Sequence, residues 1–174
     1  MLPHFRETKT QSSSAVLAYS EDMGKISGAS AGFLMLGYDD IYEIQYFHDN
    51  RQAYWKHNGT VDIIQAFEKA DNNYLSVMER CAAFDNRMMD DAGKAGGQAY
   101  AELCALAYRQ DISAHKMIED KDGNLLFLSK ENFSNGSSGT VDITYPSSPL
   151  FLIYNPDLVK GMMEPIFYFS ESGK

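Results

Sequence analysis

The sequence predicts an α+β protein that is mainly α, with a small antiparallel β-region at the N-terminus. Three observations predict it. Residues 61–92 contain neither proline nor glycine, and apolar side chains from Ile63 to Met88 recur at three- and four-residue steps, the period of one helix face. Residues 98–119 repeat that spacing after Gly93 and the Gly96-Gly97 pair, so a short turn joins two helices into a hairpin. Upstream of residue 58, short apolar runs alternate with Gly- and Asp-containing turns, the punctuation of strands.

Taken in order, residues 1–14 are polar and rich in Ser and Thr, as in a frayed arm. Strands are expected over 15–19, 31–36 and 41–47, with Gly24 and Gly28 turning the first pair and Asp39-Asp40 the second. Three short strands cannot protect their own edges, so this region calls for further strands or for helices to pack on it. Asn58-Gly59-Thr60 breaks the pattern, and Thr60 is the expected cap of the first long helix, with Asp62 in its first turn. On the second helix, 98–119, the expected interior face is Ala101, Leu103, Cys104, Ala107, Ile112, Ala114, Met117 and Ile118. Lys121-Asp122-Gly123-Asn124 spells a β-turn, followed by a strand over 125–128. Residues 147–154 are apolar. Asn155 then caps a last helix that starts at Pro156, and Pro165 should kink or interrupt it.

Charge and composition exclude several function classes. The formal net charge is -9 and the isoelectric point about 4.8, with no basic stripe, so nucleic acid and anionic membrane surfaces are poor partners. No run approaches the ~18–20 apolar residues of a membrane span, and residues 1–14 hold no hydrophobic segment of signal-peptide type. Cys81 and Cys104 have no metal-ligand spacing. They read as two small buried thiols, or as a bridge between neighbouring helices. Without an HxxxH or HExxH pattern no metal site is expected, and no motif implies a cofactor. His115 by itself reads as a hydrogen-bonded packing residue.

Two stretches carry the chemistry. Residues 129–149, SKENFSNGSSGTVDITYPSSP, set charge, amide and phenol side chains among small turn-forming residues, with apolar runs on both sides. That pattern suits an ordered loop at a site, or a solvated turn between strand and helix. Within the second helix, Tyr108-Arg109-Gln110-Asp111 puts a cation and an amide mid-helix. Either Arg109 and Gln110 face a polar cavity, or Arg109 lies in solvent and pairs with Asp111 or Glu102.

The segments AYRQDISAHK, LFLSKENFSNGSSGTVDITYPSSPLFLIYNP and LVKGMMEPIFYFSESG resemble the glutaminase A family of large microbial proteins, as do GYDDIYEIQYF and FDNRMMDDAGKAGGQAYAELCALAYRQ upstream. The resemblance implies a β-sandwich region joined to an α/α-toroid of the six-hairpin glycosidase kind. Residues 1–58 would then be the last strands of the sandwich, and 59–174 the first helical hairpins of an incomplete toroid. It also implies a secreted or periplasmic parent whose sequence runs on past Lys174. Such a fragment should show little activity alone and should self-associate through exposed apolar helix faces.

Hydrolysing a glutamine side-chain amide needs a nucleophile or activated water, a stabilised oxyanion and a proton for departing ammonia. Binding the free amino acid adds a cation for its carboxylate and an anion for its ammonium. The expected acid/base pair is Glu131 and Asp142, with Arg109, Gln110, Lys130, Asn132, Asn135 and Tyr145 binding a small-molecule substrate. Ser134, Ser137 and Ser138 have no identifiable base beside them. The same inventory suits a sugar site, and the scaffold also suits a non-enzymatic helical module.

Overall fold

Asp62 and Gln65 close a capping box at the start of the first long helix. Gln65 N–H donates to Asp62 Oδ1 at 2.8 Å, and Asp62 N–H to Gln65 Oε1 at 3.0 Å. Each satisfies an amide that the first helical turn leaves unpaired. The computed structural model describes residues 18, 20, 22–131, 133 and 135–172. The arm expected over 1–14 and most of the strand expected over 15–19 lie outside them, as do Asn132 and Ser134. Two compact units divide the chain, Met1–Met35 and Leu36–Lys174. In the first, the described residues form no regular secondary structure, and Asp22 Oδ1 accepts the Gly24 N–H at 2.9 Å.

All regular elements belong to the second unit. The cap is Asp62 and not Thr60, whose hydroxyl instead donates to the His57 carbonyl at 2.9 Å. The single helix expected over 61–92 is two, α1 (Ile63–Asn72) and α2 (Tyr74–Gly96). Asn73 breaks it: its Nδ2 donates to the Lys69 carbonyl at 2.7 Å, the competition for backbone groups that makes Asn a poor helix-interior residue. α2 continues through Gly93 and ends at Gly97, whose φ of 80° with ψ of -178° is a region essentially confined to glycine. α3 (Gln98–Ser113) starts there and packs against α2, giving the expected hairpin.

α3 stops earlier than its period suggests. Ser113 Oγ donates to the carbonyls of Arg109 and Gln110, both at 2.9 Å, and residues expected as the last helical turn form β3 (His115–Glu119). β3 pairs antiparallel with β4 (Leu125–Ser129), His115 opposite Ser129 and Met117 opposite Phe127. The Asp120 carboxylate organises the turn between them, accepting the N–H of Asp122 and of Asn124 at 2.8 Å each and the Asn124 amide at 2.9 Å. Burial works to raise its carboxyl, but these bonds outweigh it and hold Asp120 below the usual carboxylate range.

The β-region is also corrected. No strand forms over 31–36, where Leu34 and Leu36 are exposed. The strand expected over 41–47 shortens to β1 (Ile44–Tyr46), which pairs with an unexpected β2 (Asp49–Arg51). Their turn is Phe47-His48, with φ of 43° and 73°, the left-handed pair that Asn-Gly usually supplies. β1–β2 and β3–β4 remain two separate two-stranded sheets.

The β3–β4 hairpin sits between two layers. One face carries Phe127 against Phe151, Leu158 and Met162, from α4 (Val141–Tyr154) and α5 (Pro156–Glu171). The other carries Ile118, Leu126 and Leu128 against Ile44 and Tyr46. Neighbouring Met117 and Ile118 thus point to opposite sides, as strand alternation demands. α4 is a further correction, because Asp142 and Tyr145 lie in a helix and the loop is confined to 130–140. Pro146 and Pro149 each remove a helical donor. Burial of Thr144, Ser147 and Phe151 along one stripe holds the helix against that cost. α5 begins at Asn155-Pro156 as expected and runs through Pro165 to Glu171.

The interior face of α3 differs from expectation: Ala101 is buried and Cys104 and Tyr108 half-buried, while Leu103 and Ile112 are exposed. Cys81 is exposed rather than buried, and both cysteines are free. Leu75, Val77 and Met78 on α2 and Leu106 on α3 also lie exposed. Ion pairs clamp the segment before β1. Lys56 Nζ reaches both Asp39 oxygens at 2.8 Å, and Lys116 pairs with Glu43 and, at 3.7 Å, with Asp40.

The Lys56 ammonium, with the Ile41 N–H, holds the Asp39 carboxyl below the usual range. A depressed carboxyl contributes stability above its unfolded value, and that contribution is lost as pH falls through the folded value. Asp39→Asn should therefore lose less stability than wild type between about pH 6 and about pH 3, read as the shift in urea midpoint. Equal shifts in the two proteins would show that the pair contributes nothing.

Candidate functional site

α4 presents a stripe that changes character along its length. Thr144 and Ser147 are buried on the side that ends in Phe151, so the Ser147 hydroxyl faces the end of α3 while an aromatic ring fills the core. Ser147 Oγ donates to Asp111 Oδ1 at 2.7 Å across 36 residues of sequence. Asp111 is held from its other end as well, because its main-chain carbonyl lies 2.6 Å from His115 Nδ1. A carbonyl only accepts, so the hydrogen bond is made with His115 Nδ1–H as donor. The ring is fixed by stacking on Phe127 (centroids 4.3 Å apart, planes at 12°) and by the edge of Phe151 at 5.8 Å.

Beside this pair opens a depression of about 580 Å³, with Gln110, Asp111, Ser113, Ala114, Pro146 and Ser147 in its wall. Further buried polar groups lie on β3, on β4 and just before α4. His115 stands opposite Ser129, and the Ser129 carbonyl accepts the Gly139 N–H at 2.8 Å, one residue before Thr140. His115 Nε2, Ser129 Oγ and Thr140 Oγ1 are buried with no hydrogen-bond partner among the described residues. Buried polar groups are costly unless they are used or satisfied.

A second cavity, about 400 Å³, lies between β1 and α5, among Tyr46, Phe47, Leu128, Val141, Pro165 and Phe169. It is largely apolar. Its phenol, Tyr46, is pushed up to about 12, by burial first and then by Asp120, Tyr168 and Glu164, so it stays protonated at neutral pH and offers no base.

The residues singled out from sequence fall in several places. Gln110 lines the depression. Arg109 is exposed and makes no ion pair among the described residues; Asp111, one of its expected partners, is engaged by Ser147. Lys130 is exposed, and its N–H donates to the Ala114 carbonyl at 2.8 Å, tying the loop to the end of α3. Glu131 is half-buried, with its N–H on the Ser137 carbonyl at 3.1 Å. Asn135 is exposed, and its Oδ1 accepts the Ser137 N–H at 2.7 Å. Asp142 and Tyr145 both lie on the solvent side of α4. Among the described residues no three His, Cys, Asp or Glu side chains gather as metal ligands would.

Sequence reasoning missed the Asp111–Ser147 pair. Asp111 reads as a neighbour for Arg109, and Ser147 sits in PSSP, which reads as the end of a loop. Only the helical course of α4 turns that serine inward.

Comparison with known proteins finds two family matches along the chain, meeting between α2 and α3. Residues 97–174, from α3 to the end, match the family described as the glutaminase A six helical-hairpin domain, and residues 3–91 match a domain of unknown function, DUF5127. Glutaminase A of Aspergillus oryzae is 29% identical over 164 residues, covering 91% of this chain and 24% of the relative. A protein named probable glutaminase/05536 of Arthroderma benhamiae is 36% identical over 91 residues, covering 52% of this chain and 10% of the relative. The chain thus spans about a quarter of the length of the first relative and about a tenth of the second. No solved structure matches it. The chain thus carries a glutaminase A family domain over residues 97–174, preceded by a DUF5127 domain over residues 3–91.

Proposed function

We propose that this chain forms part of a glutaminase-like hydrolase, which cleaves the side-chain amide of L-glutamine to glutamate and ammonia. The observation that supports the reading is the Asp111–Ser147 pair in the wall of an open depression, within the stretch that matches the glutaminase A six helical-hairpin family. A carboxylate with a hydroxyl can move the proton that amide hydrolysis requires, and the Gln110 amide on the same wall can donate to an oxyanion. Arg109, exposed one residue earlier on α3, supplies a cation for the substrate α-carboxylate.

The test is ammonia release from glutamine by the protein as its cell makes it, set against reducing-sugar release from glycosides. Ammonia alone is the expected outcome; sugar release without ammonia would move the site to carbohydrate. In the active protein, Arg109→Met should raise KM about tenfold with kcat little changed, as loss of uniform substrate binding does. An unaltered KM would remove Arg109 from substrate binding.

A further inference from the structure

We propose that Ser147 is a catalytic nucleophile and Asp111 its general base. The substrate rests on the reading above; the pair rests on geometry. Three observations set this contact apart from an ordinary buried hydrogen bond. The Ser147–Asp111 bond lies in the wall of an open depression and not in the sealed core. The other carboxylate oxygen, Asp111 Oδ2, has no hydrogen-bond partner among the described residues. The backbone of Asp111 is anchored independently through His115 Nδ1, and that ring is wedged between Phe127 and Phe151. A base whose main chain is fixed and whose carboxylate points at a hydroxyl is the arrangement an activated serine needs.

In the acylation step Ser147 gives its proton to Asp111 as the Oγ–carbon bond to the substrate carbonyl forms. The Gln110 amide donates to the oxyanion. The carbon–nitrogen bond then breaks, and the proton held on Asp111 passes to the leaving nitrogen, releasing ammonia and leaving an ester on Ser147. Water attacks that ester, Asp111 takes its proton and returns it to Ser147 Oγ, and the free carboxylic acid departs. Atoms and charge balance without a further reactant. His115 is a positioning residue here, since it reaches Asp111 only through the main-chain carbonyl.

The experiment uses a fluorophosphonate probe on the protein as its cell makes it, with the labelled peptide identified by mass spectrometry, alongside glutamine turnover. Wild type should carry the label on Ser147, and Ser147→Ala should carry none. Asp111→Asn should slow labelling by about a hundredfold or more. Turnover in Ser147→Ala should fall by ~10³ or more. Ser147→Cys, which keeps a nucleophile in nearly the same volume, should be alkylated by iodoacetamide faster than Cys81 or Cys104, a readout that does not depend on turnover. Label on Ser147 with no ammonia from glutamine would keep the pair and overturn the substrate. Ammonia release with an unlabelled Ser147, whether Ser147→Ala is active or dead, would overturn the nucleophile and keep the substrate.

Discussion

Replacing Phe151 by alanine should destabilise the protein by ~3–5 kcal/mol, the range for truncating a large buried aromatic. Phe151 is fully buried, and its ring meets Phe127 edge-on at 5.3 Å and His115 at 5.8 Å, with Tyr108 at 6.1 Å. Those contacts come from β3, β4 and α3, so no single element can move in to fill the space, and an unfilled cavity adds its own cost to the lost transfer energy. The damage should reach the site, because the Phe151 edge is one of the two surfaces that hold the His115 ring. Urea unfolding measures the stability change, with the slope expected to stay constant. A loss of under ~1 kcal/mol would mean that the core collapses around the deletion and that Phe151 is not its centre.

Gly161→Val should cost ~3 kcal/mol by overpacking. A side chain there would place its first carbon 3.0 Å from both the Leu125 carbonyl oxygen and the Phe127 amide nitrogen. Those are backbone atoms of a paired strand, which cannot swing aside as a side-chain tip can, so α5 would have to lift off β4. The control is Gly93→Ala in α2, where an added carbon meets nothing within 4 Å. Relief of the glycine backbone entropy should stabilise that variant by ~0.5–1 kcal/mol. Thermal midpoints moving in opposite directions would confirm that close approach of α5, and not helix propensity, selects Gly161. A tolerated valine at 161 would show that α5 is free to shift.

The two variants also mark what each level of description decides. Helical period over 61–92 and over the first part of 98–119, the glycine pair between them, the turn at 121–124 and the Asn155-Pro156 start of α5 are local matters. Each depends on residues a few positions apart, so each is legible in the sequence, together with the family and the mainly α class. The larger failures are those where a distant partner outweighed a local signal. His115–Glu119 fits a helix by period, yet pairing with Leu125–Ser129 makes it a strand. Phe47-His48 lacks the spelling of a hairpin turn, yet the turn forms where Ile44 and Tyr46 pack beneath Ile118, Leu126 and Leu128. The two prolines of α4 argue locally against a helix, and burial of Phe151 against three other elements overrides them.

The site follows the same division. The sequence by itself marked a polar group at Arg109-Gln110-Asp111 on the second helix and, further on, a stretch rich in hydroxyls and amides. It could not say which side of α4 faces α3, because that depends on α4 being a helix at all. With α4 helical, Asp142 and Tyr145 turn to solvent while Ser147 turns in to meet Asp111. Burial of Phe151 on the same stripe as Thr144 and Ser147 fixes which side of α4 turns inward.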